Sequence, residues 1–250
     1  MDLVIVDTYE DMSRVAADQI EAVIADDTAC VLGLATGGTP VGAYAQLVEW
    51  YQKGDLSFSE VRSVNLDEYF GLSPHHEQSY RYFMQTHLFD HIDIKPENTH
   101  VLDGLTKDPI KECANYNKLI QSLGGIDLQL LGMGHNGHIA FNEPGDDFGL
   151  ETHLVDLTES TIDANQRFFD SRDEVPRHAL SMGIKNIMQA RRILLVVSGE
   201  EKADILYQAF CGRVTKSIPA SILQLHPDVT LVGDKAALHK LVQAGEHVCG

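Results

Sequence analysis

The chain has 250 residues, a formal charge of −18 and four cysteines, with 44% of its residues hydrophobic. Such acidity, with no offsetting basic patch, argues against nucleic acid or an anionic membrane as a partner. One sizeable core fits the length, no apolar run approaches the roughly 18 residues that cross a bilayer, and Cys30, Cys113, Cys211 and Cys249 show neither CxxC spacing nor a disulfide framework. The start, MDLVIVDTYEDM, has no basic flank and reads as neither a secretory signal nor a transit peptide, so the cytoplasm is the expected compartment.

Leu3 to Val6 is a β-type run, and Tyr9 to Ile24 places Met12, Val15, Ala16, Ile20, Val23 and Ile24 at helical spacing. Ala29 to Ala35 is nearly continuous apolar, the pattern of a strand covered on both faces, and runs into Thr36-Gly37-Gly38-Thr39-Pro40. Pro40 suits the first turn of a helix with Val41, Tyr44, Leu47, Val48 and Tyr51 on its inner face. A glycine turn between strand and helix can hold a phosphate through free N–H groups, threonine hydroxyls and the helix dipole. The same residues also suit a plain βα turn, and no Gly-Lys-Ser/Thr follows to make a Walker loop.

Val61 to Leu66 is the next predicted strand, and it delivers Asp67-Glu68-Tyr69 at its end. A carboxylate there is a candidate general base, with capping or solvation as the alternative. Ser79 to Phe89 and Pro109 to Leu123 have helical spacing, and Gly124-Gly125 leads into an apolar strand, Ile126 to Leu131. Thr161 to Phe169, which contains Arg167, and Ala179 to Ala190 read as helical stretches. Ile193 to Val197 is a strong strand that turns at Ser198-Gly199 into a helix holding Lys202, and Thr230 to Val232 is a last short strand.

Strands separated by helices predict a single-domain α/β fold, a mostly parallel Rossmann-like sheet flanked by helices on both faces, with ligand chemistry at the carboxyl ends of the strands. Residues 1 to 238 are expected to form this domain, and 239 to 250 a C-terminal tail partly foreign to it.

The densest stretch is GMGHNGHIAFNEPG, Gly132 to Gly145, directly after an apolar strand. Its Gly132-x-Gly134-x-x-Gly137 spacing formally matches a dinucleotide fingerprint, but Pro144-Gly145 interrupts where a long helix is required. His135, His138 and Glu143 form a possible metal set, but Gly134 and Gly137 are poor formers of the helix on which paired zinc histidines usually sit. The third reading is acid–base chemistry, in which His138 shuttles a proton and Glu143 orients its ring. A phosphate cradle, a strand-end carboxylate and a loop histidine together suggest enolisation of a sugar phosphate.

LGLATGGTP (Leu32 to Pro40), NLDEYFGL (Asn65 to Leu72), GHIAFNEPG (Gly137 to Gly145), ANQRFFD (Ala164 to Asp170) and SGEEKA (Ser198 to Ala203) occur in this order. They closely resemble the glucosamine-6-phosphate deaminases, of the glucosamine/galactosamine-6-phosphate isomerase family. The resemblance extends to about LQLHPDVTLV, Leu223 to Val232. It implies conversion of glucosamine 6-phosphate and water to fructose 6-phosphate and ammonia, with no organic cofactor and no metal, by a monomer or small homo-oligomer. It implies Asp67 as the base at C2, His138 as the ring-opening group with Glu143 as its charge partner, and Thr36, Gly37, Gly38, Thr39, Arg167 and Lys202 as phosphate-binding positions. The nearest rival is 6-phosphogluconolactonase, a hydrolase of similar fold, and a non-catalytic sugar-phosphate sensor is the alternative from another class.

Two positions depart from some relatives. Asn136 stands where they carry an aspartate that completes the histidine relay; an amide orients a ring without supplying charge, so Glu143 alone carries that charge here. The segment from Asp146 to Val155, DDFGLETHLV, is acidic where activated relatives bind N-acetylglucosamine 6-phosphate with basic residues. The expected rate curve is therefore hyperbolic and insensitive to N-acetylglucosamine 6-phosphate; a sigmoidal curve that this compound abolishes would contradict the expectation.

Overall fold

Thr8, Ser79, Asp108 and Thr158 each accept a hydrogen bond on the side-chain oxygen from the backbone N–H three residues on, and a helix starts after each. The computed structural model describes residues 1–145 and 148–248. Asp146 and Asp147 of the acidic segment, with Cys249 and Gly250, lie outside the described residues. In chain order the elements are β1 (Asp2–Val6), α1 (Tyr9–Asp26), β2 (Val31–Leu34), α2 (Val41–Lys53), β3 (Arg62–Asn65), β4 (Asp67–Tyr69), α3 (Tyr80–His87), β5 (Thr99–His100) and α4 (Pro109–Ser122). They continue with β6 (Leu128–Leu131), β7 (His153–Asp156), α5 (Glu159–Asn165), β8 (His178–Ser181), α6 (Ile184–Met188), β9 (Arg192–Val197), α7 (Ala203–Cys211), β10 (Val229–Asp234) and α8 (Lys235–Val248).

Seven strands form one parallel sheet in the order β1-β10-β9-β6-β2-β3-β5. Helices flank it, α1 packing on α2 and α7 on α8. The chain leaves β2 toward β3 on one side and leaves β6 toward β9 on the other, so the order reverses between these neighbours. A crevice opens at the carboxyl ends of strands at such a reversal. The Thr36–Pro40 turn follows β2 and the Gly132–Gly145 loop follows β6, so both flank the crevice.

A second sheet covers this end. β4, β8 and β7 form an antiparallel three-stranded unit in the order β4-β8-β7. Leu66 joins the two sheets: its N–H donates to Leu34 O in the parallel sheet, and its carbonyl accepts Met182 N at 2.7 Å beside the antiparallel one. Asp67-Glu68-Tyr69 is therefore a strand in its own right and not a free strand exit. The stretch from Ala179 to Ala190 is a strand, β8, followed by the short α6; Ala179, Leu180 and Met182 are all fully buried, and a run buried on both faces has the same apolar look in a strand as in a helix.

Arg167 and Lys202 lie in short 3-10 turns, Gln166–Phe168 and Glu200–Lys202, adjoining α5 and α7. The boundary expected at 238 falls inside α8, whose Ala237, Leu238 and Leu241 are buried. Among the described residues no helix is long and apolar enough to cross a membrane.

Gly104 backs β4 from behind: its carbonyl accepts Gly71 N at 2.7 Å, and a Cβ there would sit 2.4 Å from Tyr69 O. Backbone atoms cannot yield as a side-chain tip can. Gly104→Ala is expected to lower the unfolding free energy by about 1–3 kcal/mol in a denaturant titration.

Candidate active site

A cleft of about 580 Å³ lies at the reversal point, lined by Thr36, Gly37, Gly38 and Thr39 from the turn after β2, Asp67 from β4, His138 from the loop after β6, and Arg167 with Lys202. Along the sheet edge these come from the ends of four neighbouring strands, with β9 carrying Lys202, β6 His138, β2 the glycine turn and β3 the link to Asp67. Arg167 arrives from above, on the connection between β7 and β8. Asn136 and Glu143 do not line the cleft; they stand behind His138.

The phosphate-type end is built from the backbone. Gly37 has φ +89°, a left-handed conformation that glycine adopts without strain. Tyr9, at the start of α1, braces the turn: its hydroxyl donates to Gly38 O at 3.0 Å and accepts Gly42 N at 3.0 Å. Lys202 Nζ donates to Met133 O at 2.9 Å. Burial lowers the Lys202 pKa, the nearby Arg167 pushes the same way, and Glu201 opposes them. Neither Arg167 nor Lys202 makes an ion pair among the described residues. Two mutually repelling cations beside a row of backbone N–H groups form a receptor for a dianion.

At the other end two carboxylates are buried together. The Asp67 carboxyl is pushed up to about 8 by burial and by the neighbouring Glu68. Burial also raises Glu68, to about 7, although Tyr80 N and Arg81 N, both at 2.9 Å, and Tyr69 N at 2.8 Å donate to its carboxylate. Alternation along β4 sends the two acids apart. Asp67 lines the main cleft, and Glu68 lines a separate cavity of about 460 Å³ between α3 and α4. Tyr69, Tyr80, Phe141 and Phe169 pack in an aromatic group beside Asp67, with Tyr69 and Tyr80 centroids 4.9 Å apart.

The central loop holds the histidine. Gly134 is required by His138 itself, because a Cβ there would meet the imidazole at 2.3 Å. Gly137 has φ +82° and Ala140 has φ +51°, which folds the loop into a tight turn closed by Asn142 N on Ile139 O. Asn142 is buried and bonds backbone only, its amide donating to Ile139 O and Met182 O. His135 and Tyr69, by contrast, line the cleft.

Glu143 Oε2 lies 3.4 Å from His138 Nδ1 and accepts Asn136 Nδ2 at 2.7 Å, while Thr161 Oγ1 donates to its Oε1. Burial pushes the Glu143 carboxyl up, but the facing His138 ring, with the bonds from Thr161 and Asn136, outweighs it and brings the group down to about 2. Glu143 is thus a permanent anion behind the ring. Asn136 bridges the two, since its Oδ1 also accepts His138 N at 3.2 Å. Thr161 and Tyr9 carry no motif of their own, and Glu68, though inside NLDEYFGL, has no role assigned by it; only the position of Thr161 three residues after the helix-capping Thr158 hints at a buried hydroxyl.

The family described as "Glucosamine-6-phosphate isomerases/6-phosphogluconolactonase" matches residues 6–232, and the chain belongs to it. A glucosamine-6-phosphate deaminase of Lachnoclostridium phytofermentans is 60% identical over 225 residues, 90% of this chain and 95% of the relative. One from Clostridium perfringens is 54% identical over 237 residues, covering 95% and 98%. The solved structure of a monomeric glucosamine-6-phosphate deaminase matches with a TM-score of 0.94 at 45% identity, covering 96% of this chain and 100% of that one. The 6-phosphogluconolactonase of Trypanosoma brucei shares the fold alone, with a TM-score of 0.79 at 19% identity and coverage of 96% and 98%.

The buried acid has a measurable stability signature. With its pKa raised from 3.8 to about 8, Asp67 holds a proton in the folded chain that the unfolded chain has already released, so stability is lost as pH rises through that interval. Asp67→Asn removes the titration. Its stability advantage over wild type is expected to grow with pH across that interval and to level off above it, reaching a few kcal/mol in unfolding titrations.

Proposed function

We propose that the protein converts glucosamine 6-phosphate and water to fructose 6-phosphate and ammonia. The observation that carries this reading is the polarity of the cleft. Among the described residues, one end offers backbone N–H groups with Arg167 and Lys202, neither of which makes an ion pair, and the other a buried Asp67 on which burial and Glu68 act, with no cation paired to it. An amino sugar phosphate supplies both missing charges, its phosphate to one end and its C2 ammonium to the other. The lactone of the rival reaction brings no cation.

The roles follow from this placement. His138, backed by Glu143, moves a proton from the C1 hydroxyl to the ring oxygen and so opens the pyranose. Asp67 takes the C2 proton, and the electron pair passes to the aldehyde to leave an enolamine, which is reprotonated at C1. Water adds to the resulting C2 iminium carbon, and the C–N bond breaks to release ammonia and leave the ketose. Approach of the substrate's ammonium lowers the Asp67 pKa, so binding itself ionises the base. The 45–60% identity to deaminases over 90% or more of the chain supports the reading. We place the protein in the cytoplasm as a monomer or small homo-oligomer, the monomeric deaminase of closely matching structure favouring the former.

An ammonia-release assay on glucosamine 6-phosphate tests the proposal. Wild type is expected to release ammonia, with kcat/KM falling as pH drops below about 8. Glu68→Gln is expected to move that limb to lower pH, and Asp67→Asn to lower kcat by about 100- to 10,000-fold. Hydrolysis of 6-phosphogluconolactone without ammonia release from the amino sugar would replace this reading with the lactonase one.

A further inference from the structure

We infer that Thr161 is a positioning residue that links the phosphate end of the cleft to the ring-opening pair, because one short segment both fixes Glu143 behind His138 and carries Arg167. The inference rests on the deaminase reading for its meaning, and on the following contacts for its geometry.

Thr161 is only 3% exposed. Its single hydroxyl proton is committed to Glu143 Oε1, because the hydroxyl itself accepts Thr158 Oγ1 at 3.1 Å. With Oε1 held from α5, Oε2 is left facing Asn136 Nδ2 at 2.7 Å and His138 Nδ1 at 3.4 Å. The carboxylate is gripped from two directions, by its own loop and by a helix that belongs to the covering sheet. Removal of the hydroxyl leaves Oε1 without that partner in a largely buried place, and a carboxylate so placed rotates toward water. The charge behind His138 then moves away.

The same helix runs without a break into the 3-10 turn Gln166–Phe168, so no flexible joint separates Thr161 from Arg167. Ile162 anchors this segment in the small core made by Tyr69, Phe141, Leu157, Val175 and Ala179, the cluster that also carries the residues beside Asp67. A phosphate that draws Arg167 into the cleft therefore sets the position of Thr161, and through it the orientation of Glu143. The ring-opening pair is assembled most completely when the phosphate site is filled.

The test compares T161V, which keeps the branched shape, with T161S, which keeps the hydroxyl, alone and in an E143Q background. T161V is expected to lower kcat about tenfold, the order of one charge-assisted hydrogen bond, and T161S to stay within about threefold of wild type. KM and competitive inhibition by inorganic phosphate are expected to move by about twofold or less, since the phosphate ligands remain. In E143Q the added T161V is expected to cost less than about twofold, because Thr161 acts through Glu143. A readout free of turnover separates this link from the deaminase reading: the His138 ring resonances, followed by NMR at one pH, are expected to shift in T161V and to stay as in wild type in T161S. Unmoved His138 ring resonances in T161V would overturn the link, as would an equal T161V loss with and without Glu143. Absence of ammonia release by wild type would overturn the deaminase reading alone.

Discussion

The pairing of β4 with β8 is the contact on which the site depends. At Leu66 the chain leaves the parallel sheet and enters an antiparallel one, and this single change of partner places Asp67 at the mouth of the crevice, paired with Ser181 of β8. β8 also touches the central loop, since Ser181 Oγ accepts Phe141 N at 3.0 Å and Met182 O accepts the Asn142 amide at 2.9 Å. Its partner β7 leads into the segment that carries Thr161 and Arg167. Asp67, the histidine loop and Arg167 are therefore three attachments of one small sheet laid over the reversal point of the larger one.

This arrangement resolves an electrostatic difficulty. A chain of net charge −18 has to capture a dianion. In the proposed site it does so locally, with two cations that make no ion pair among the described residues and a glycine turn braced by Tyr9, while the nearby acids are driven to different states. Asp67 and Glu68 are raised by burial and shed their charge near neutral pH, whereas Glu143 stays ionised because His138 faces it at 3.4 Å and Asn136 and Thr161 bond it. Carboxyls on one cleft wall and behind another are thus driven to opposite protonation states, the division of labour that proton transfer in both directions requires.

Six of the seven strands of the large sheet are legible as short apolar runs, with β2, β6 and β9 running into glycine turns, whereas β5 is only Thr99 and His100 and carries no pattern; the helices follow Thr8, Pro40, Ser79 and Asp108. The site was legible where chemistry and spacing coincide, in the glycine turn, Asp67, and His138 with Glu143. The covering sheet was not. Ala179 to Met182 is apolar on both faces and carries no period, β7 is four residues long, and β4 follows β3 after one residue, so a single strand was the simpler reading. Tyr9, Glu68 and Thr161 act through contacts made across long stretches of chain or with backbone atoms, which no local pattern encodes. Gly134 belongs by spacing to a formal dinucleotide fingerprint, and its space is taken by His138.

In the proposed mechanism burial, with Glu68 beside it, keeps Asp67 protonated in the free enzyme until a cationic substrate arrives. A carboxyl-carbon NMR titration of wild type against Asp67→Asn assigns the resonance and reads its midpoint directly. The expected midpoint is near 8 for the free protein and moves to lower pH when glucosamine 6-phosphate is bound. A midpoint in the ordinary carboxylate range, unmoved by the amino sugar, would contradict it.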